Sequence, residues 1–64
     1  MTMGRLLTAK ETAQRLQMSE EWVYRAAALG ILPSLKIGRS LRFVPEKIAE
    51  WLDRQSVKAG LKGT

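Results

Sequence analysis

The sequence predicts a mostly helical fold in which two short helices are followed by a small β-hairpin and a third helix. Capping residues at Thr8 and Ser19 each precede an amphipathic run, which predicts two helices with a very short connection between them. After Pro33 the apolar residues alternate with polar ones as far as Phe43, a pattern typical of strands. Helical spacing of apolar residues returns at Pro45.

The composition allows one small domain and excludes several classes of function. A chain of 64 residues buries only about 60% of the surface that its unfolded form exposes, too little for a second core. The chain has no cysteine and no histidine, so disulfides and zinc fingers are excluded and the usual catalytic pairs are missing. We therefore expect no enzyme activity, no metal and no cofactor.

The net charge of +5 favours a polyanionic partner. No acidic residue occurs between Glu21 and Glu46, so one part of the molecule should carry most of the positive field. No apolar run approaches the roughly 20 residues that span a bilayer, and the first residues do not form a signal peptide. We therefore expect a cytoplasmic protein without a membrane partner. Four basic residues lie in the gap between the acids: Arg25, Lys36, Arg39 and Arg42.

The first two helices are predicted from their ends. Residues 8–11 have the form of a capping box, so the first helix should begin after Thr8. The second helix should run from Glu20 to about Leu29, because Gly30 follows and commonly ends a helix. In it Val23, Ala26 and Ala27 share one side, whereas Glu21, Tyr24, Arg25 and Ala28 share the other.

The short connection between these helices predicts a helix-turn-helix, the unit that places its second helix in the major groove of DNA. The turn often carries glycine where this chain has Gln17. A non-glycine residue in the left-handed conformation costs about 1 to 2 kcal/mol. Either Gln17 tolerates that strain or the turn has another geometry.

The alternation of apolar and polar residues over 35–43 predicts a β-hairpin. A two-residue loop would pair Leu35 with Arg42, whereas a three-residue loop would pair Leu35 with Phe43 and Ile37 with Leu41. We favour the three-residue loop because it puts these four apolar side chains inward. The same loop would point Lys36 and Arg42 outward. Glycine at the first position of a three-residue loop is unusual, however.

The third helix should close the core, and the chain after it should be a tail. Pro45 suits a first helical turn, and Val44, Ile48, Trp51 and Leu52 form an apolar stripe at helical spacing. From Gln55 onward the chain is polar and basic. We therefore expect the domain over residues 1–54 and a frayed, flexible tail over 55–64.

These residues together resemble the excisionase and MerR-like small winged helix-turn-helix proteins, and the resemblance covers roughly residues 6–52, which is most of the chain. The resemblance implies that Trp22 to Arg25 lie on the recognition helix and that Gly38 to Arg42 form the wing. It also implies a bacterial or phage-infected cell, association with the nucleoid and no small-molecule effector. The segments that carry it are 7–16, Ser19, Val23 to Arg25, Gly30 to Pro33, Lys36 to Arg39, Leu41 to Phe43, and Trp51 with Leu52. Gln17 in the turn and Trp22, at a position where a small polar residue is common, depart from the pattern.

Each candidate contact with DNA has a plain structural alternative. Arg25 is suited to hold guanine or a phosphate, and otherwise is a solvated surface arginine. Tyr24 is suited to a phosphate or a thymine methyl, and otherwise is a half-buried rim residue. Arg39 at the wing tip is suited to the minor groove, although wing tips are often only mobile.

The remaining candidates are less direct. Glu20 and Glu21 suit the helix dipole, and one of them could accept a hydrogen bond from cytosine. Trp22 should be half core and half interface. Further candidates are Ser19 on the recognition helix, Lys36, Gly38, Ser40 and Arg42 on the wing, and Thr8 and Lys10 beside the DNA backbone.

We therefore expect a sequence-specific binder of double-stranded DNA, and favour an excisionase that binds and bends attachment-site DNA cooperatively. An integrase or further copies of the chain would be its partners, because one module reads only a few base pairs. A small transcriptional regulator of a mobile element and a non-catalytic protein-interaction adaptor are the alternatives. RNA binding is disfavoured because the chain lacks an aromatic stacking platform.

Overall fold

The computed structural model describes residues 5–58, and in that range it contains the predicted elements in the predicted order. A mostly helical fold with a two-stranded hairpin is confirmed, and its order is that of a small winged helix-turn-helix. The elements are α1 (Ala9–Leu16), α2 (Glu20–Ala28), β1 (Leu35–Ile37), β2 (Ser40–Arg42) and α3 (Pro45–Lys58).

Helix α1 begins and ends as its capping residues dictate. The Glu11 N–H donates to the Thr8 hydroxyl oxygen over 3.1 Å, and the Thr8 N–H donates to Glu11 Oε1 over 2.9 Å, so the capping box is confirmed. At the other end Gln17 lies in the left-handed region, with φ 56° and ψ 42°. The Met18 N–H donates to the Ala13 carbonyl over 2.9 Å, and the Gln17 N–H donates to the Gln14 carbonyl over 3.2 Å. This is a Schellman ending in which Gln17 occupies the position that favours glycine.

Helix α2 follows after three residues, Gln17, Met18 and the N-cap residue Ser19, so the connection is short, as predicted. The Ser19 hydroxyl accepts a hydrogen bond from the Trp22 N–H over 3.0 Å and so caps its start. The helix ends at Ala28, and Gly30 has the positive φ, 76°, that lets the chain turn away.

The core lies between α1, α2, the inner face of the hairpin and α3. Val23, Leu32 and Phe43 are its largest fully buried apolar side chains, and burial of each contributes about 1.5 to 3 kcal/mol. Leu7 and Phe43 exchange backbone hydrogen bonds of 2.8 and 2.9 Å, which tie the chain before α1 to the end of the hairpin. Because α2 buries Val23 and Ala26 in this core, its opposite side faces outward.

The predicted three-residue loop of the hairpin is wrong. Leu35 pairs with Arg42, Lys36 with Leu41 and Ile37 with Ser40, so the loop is the two-residue Gly38-Arg39. Gly38 has φ +61° and Arg39 has no positive φ, which is the pattern of a turn with glycine at its first central position. That glycine position was the signal against the three-residue loop.

The register puts the side chains of β1 on the faces opposite to those expected. Leu35 and Ile37, predicted inward, are 42% and 52% exposed, whereas Leu41 is half-buried against the core. Because directly paired residues share a face, Lys36 lies on the inner face with Leu41. Arg42 lies on the outer one, so the prediction that Lys36 and Arg42 point outward together is also wrong.

Helix α3 closes the core with fewer residues than expected and extends further. Ile48 is buried and Val44 and Trp51 are half-buried, but Leu52 is exposed, contrary to prediction. The helix continues to Lys58, so residues 55–58 of the predicted tail are helical. The rest of the predicted tail, 59–64, lies outside the described residues. None of the helices in residues 5–58 has the length and apolar character needed to cross a bilayer.

Candidate nucleic-acid interface

The outward side of α2 carries the predicted recognition residues. Glu21, Tyr24, Arg25 and Ala28 are all exposed, and Tyr24 is 52% exposed. They share this side because Val23 and Ala26, on the opposite side of the same helix, are buried.

Glu21 and Arg25 form an exposed ion pair one helical turn apart. Arg25 Nη2 lies 3.8 Å from Glu21 Oε2, and the two side chains are 64% and 84% exposed. An exposed i,i+4 pair of this kind contributes only about 0.3 to 0.5 kcal/mol. Such a pair holds the guanidinium weakly, so Arg25 remains able to exchange its partner for a DNA group.

Ser19 and Trp22 have structural roles at the start of α2. The Ser19 hydroxyl is engaged as the helix cap. The Trp22 ring lies against Trp51 of α3, with 6.4 Å between ring centroids and an angle of 58° between the planes, and Trp22 is half-buried. This tilted pair ties α2 to α3. The expectation that Trp22 is partly core is therefore confirmed.

The wing tip presents Arg39 to solvent. Gly38 and Arg39 form the loop, and both are exposed, as is Ser40 after them. A Cβ added to Gly38 would meet no atom within 4 Å, so its positive φ and not crowding favours glycine there. The tight turn keeps the Arg39 backbone in a defined place at the end of the hairpin.

Lys36 of the hairpin and Tyr24 of α2 line the same groove. A groove of about 380 Å³ separates the inner face of the hairpin from α2, and Tyr24 lines one side of it while Lys36 and Leu41 line the other. Ser34 lines the groove as well. Sequence reasoning assigned Ser34 no role, and its place directly before β1 was the only signal for it. A basic and a phenolic side chain therefore face the same concave surface.

Arg42 lies apart from that groove. It is half-buried on the outer face of the hairpin, and its Nη1 donates to the Leu41 carbonyl oxygen over 2.8 Å. Part of its guanidinium is therefore engaged with the protein. Among the wing cations, Lys36 and Arg39 are the more accessible from the groove and the tip.

The first turn of α1 holds the two remaining candidates. Lys10 is exposed, whereas Thr8 is half-buried and its oxygen caps the helix. The same capping lowers the pKa of Glu11 below its ordinary value of 4.5, because the Thr8 N–H and then the Arg5 guanidinium donate to its carboxylate. Arg5 Nη2 lies 2.6 Å from Glu11 Oε2. Glu11 is thus a structural carboxylate.

In residues 5–58 no group of acidic side chains is placed to hold a metal ion. The fold has an exposed second helix after a tight turn, and a basic hairpin beside it. These features define the class as a small winged helix-turn-helix domain.

The comparison with family profiles places the chain within this class. A profile described as "Helix-turn-helix domain" matches residues 6–56, and the chain belongs to this family of excisionase-like small DNA-binding domains. The resemblance noted from the sequence is thus confirmed. Domains of this family are typically not enzymes, and double-stranded DNA is the partner that the domain indicates. Searches of curated proteins and of solved structures gave no match.

Proposed function

We propose that the protein is an excisionase, a recombination directionality factor that binds and bends attachment-site DNA in a sequence-specific manner, without enzyme activity of its own. The observation that carries the DNA-binding part is the single concave surface that Tyr24 on α2 and Lys36 on the wing share. The excisionase part rests on the family, whose members are excisionase-like.

In the proposed complex, α2 lies in the major groove and the wing lies beside it. Arg25 holds guanine or a phosphate, and Tyr24 contacts a phosphate or a thymine methyl. Arg39, at the exposed tip, reaches the adjacent minor groove, and Lys36 neutralises a phosphate between the two. At the margin, Lys10, Ser40 and Arg42 contact the DNA backbone, whereas the Thr8 and Ser19 hydroxyls are engaged as helix caps.

One such module is too small to act alone on a genome. A single winged domain buries about 600 to 1,000 Å² on DNA and reads only a few base pairs. Further copies on neighbouring sites, or an integrase, supply the remaining specificity and hold the bend. We place this activity in the cytoplasm of a bacterial or phage-infected cell, at the nucleoid, with no small-molecule effector.

The DNA-binding claim is tested by anisotropy titration of a labelled duplex over a range of salt. Binding through about four to six phosphates gives a log-log slope of roughly −4 to −5. Arg39→Ala should make the slope less steep by about 1 for every sequence. Arg54→Ala is the matched control, since it removes one exposed arginine from α3 and changes net charge equally. Equal losses from both variants would contradict the proposed surface.

The excisionase claim needs a separate test, because a small transcriptional regulator would pass the first one. A circular-permutation gel assay on an attachment site measures the bend, and reconstitution with an integrase measures excision. The proposal predicts cooperative occupation of adjacent sites, bent DNA and stimulated excision. Binding without a bend or any effect on excision would favour the regulator.

A further inference from the structure

The recognition helix has an unusual charge for a surface that meets DNA. Within α2 the carboxylates of Glu20 and Glu21 outnumber the single guanidinium of Arg25. A helix with excess negative charge adds nothing to general attraction for phosphates. On this chain the attraction must come from the wing and from other cations.

Few of the outward side chains of α2 are free to form hydrogen bonds with the edges of bases. The Ser19 hydroxyl caps the helix, and the Trp22 ring packs on Trp51. Ala28 offers only a methyl group. Direct hydrogen bonding to base edges therefore falls to Tyr24, Arg25 and a carboxylate.

Of the two carboxylates, Glu21 is the one coupled to Arg25. It lies one turn before it on the same side of the helix, with 3.8 Å between Oε2 and Nη2, and its side chain is 84% exposed. Glu20 stands four residues before Tyr24 and has no corresponding cation. Any duplex that engages Arg25 must therefore also accommodate the Glu21 carboxylate.

We propose that Glu21 is a specificity-determining residue, which accepts a hydrogen bond from cytosine N4 beside the guanine held by Arg25 and repels DNA that offers only acceptors at that place. The proposal rests on the proposed DNA-binding function. Cytosine is the base that presents a lone donor without a neighbouring acceptor in the major groove, whereas guanine presents only acceptors. One helical turn rises 5.4 Å and a base step rises about 3.4 Å, so the cytosine should lie about one or two base pairs from the guanine.

The pair then acts differently on correct and incorrect DNA. On the correct site, cytosine donates to the carboxylate and guanine accepts from the guanidinium, so both charged groups keep hydrogen-bond partners. On other sequences, Arg25 stays with Glu21 or leaves behind an unpaired carboxylate near phosphates. Glu21 thus weakens non-specific binding while it adds a base preference.

The test uses the full chain and a pool of duplexes with a randomised segment. The parent, Glu21→Ala, Glu21→Gln and Glu50→Ala are each used to select bound duplexes, and the enriched and scrambled duplexes are then titrated. Glu50→Ala is the matched control, because Glu50 is also exposed, and its Oε1 lies 4.0 Å from Lys47 Nζ on α3. Both alanine variants change the net charge equally.

The parent should enrich cytosine within two base pairs of a guanine. Glu21→Ala should lose the cytosine preference and keep the guanine, with a specificity ratio about fivefold or more below that of the parent. Its affinity for scrambled duplex should rise about two- to fivefold at low salt. Glu21→Gln should exchange the cytosine preference for adenine, which a glutamine amide reads. Glu50→Ala should match the parent within about twofold.

Two failures are distinguishable. If the parent enriches no sequence at all, the proposed sequence-specific function is overturned, and this inference with it. If the parent enriches a motif and Glu21→Ala enriches the same motif with the same strength, only the role of Glu21 is overturned. A lowered melting temperature with unchanged selection would show that Glu21 serves the helix dipole alone.

Discussion

Replacement of Gln17 by glycine should stabilise the protein, an uncommon outcome for a single substitution. Gln17 is the only non-glycine residue of the described segment with positive φ, at 56°. The left-handed conformation costs an L-residue about 1 to 2 kcal/mol, and glycine avoids that cost but loses about 0.5 to 1 kcal/mol in chain entropy. The net gain is about 0.5 to 1 kcal/mol in the free energy of unfolding, which corresponds to about 3 to 6 °C in Tm for a domain of this size.

The matched control is Gln14→Gly, three residues earlier and inside α1. Gln14 is exposed and its backbone is helical, so glycine there should destabilise the protein by about 0.5 to 1 kcal/mol. Thermal unfolding followed by circular dichroism measures both variants. Tm should rise in Gln17→Gly and fall in Gln14→Gly, although both variants replace glutamine with glycine. A Tm for Gln17→Gly that is equal to or below that of the parent would refute the argument that this turn is strained.

The remaining predictions concern acid stability, the wing and the core. Because the folded-state pKa of Glu11 is lowered below 4.5, the unfolded chain takes up this proton first as pH falls. The stabilisation is therefore present above about pH 4.5 and is lost as pH falls through the folded-state pKa. Tm measured against pH should decline less steeply in Glu11→Gln, and an unchanged decline would be contrary to this reasoning. Gly38→Ala meets no steric obstacle but strains a φ of +61°, so it should cost about 1 kcal/mol and weaken DNA binding measured by anisotropy. A variant as stable as the parent would mean that the turn relaxes freely. Phe43→Ala removes a fully buried ring and should cost about 3 to 5 kcal/mol, a large part of the stability of 64 residues. Urea unfolding measures this loss, and a cost below about 1 kcal/mol would mean that the core has repacked.

The helices could be predicted from the sequence because their ends depend on local chemistry. Thr8 with Glu11 and Ser19 with its following acids are short-range signals, and the structure has the corresponding hydrogen bonds. The sequence also showed that Gln17 stands at a position where such turns often have glycine. It did not show that Gln17 adopts the left-handed conformation, because tertiary packing decides whether that strain is tolerated.

The hairpin could be predicted as an element but not in its register. The prediction assumed that four apolar side chains must share the buried face. The sheet has two strands, and its outer face leaves Leu35 and Ile37 exposed. Turn chemistry at Gly38 decided the register instead, since a glycine at the first central position fits a two-residue loop.

The candidate site was predicted in its residues and only partly in its arrangement. The outward side of α2 follows from helical spacing, so Tyr24 and Arg25 were placed correctly as exposed side chains. The position of Lys36 in the groove beside Tyr24 follows from the hairpin register and could not be found without it. The packing of Trp22 on Trp51 joins two helices distant in sequence, which periodicity does not reveal.

If the protein binds DNA as proposed, the outward side of α2 and the wing meet one duplex together. Titration of a uniformly ¹⁵N-labelled chain with a short duplex, followed through the amide chemical shifts, detects this surface residue by residue. The largest changes are expected at residues 21–28 and 36–40, with little change at the exposed residues Glu50 and Arg54 of α3. Changes concentrated on α3, or confined to only one of the two predicted segments, would contradict it.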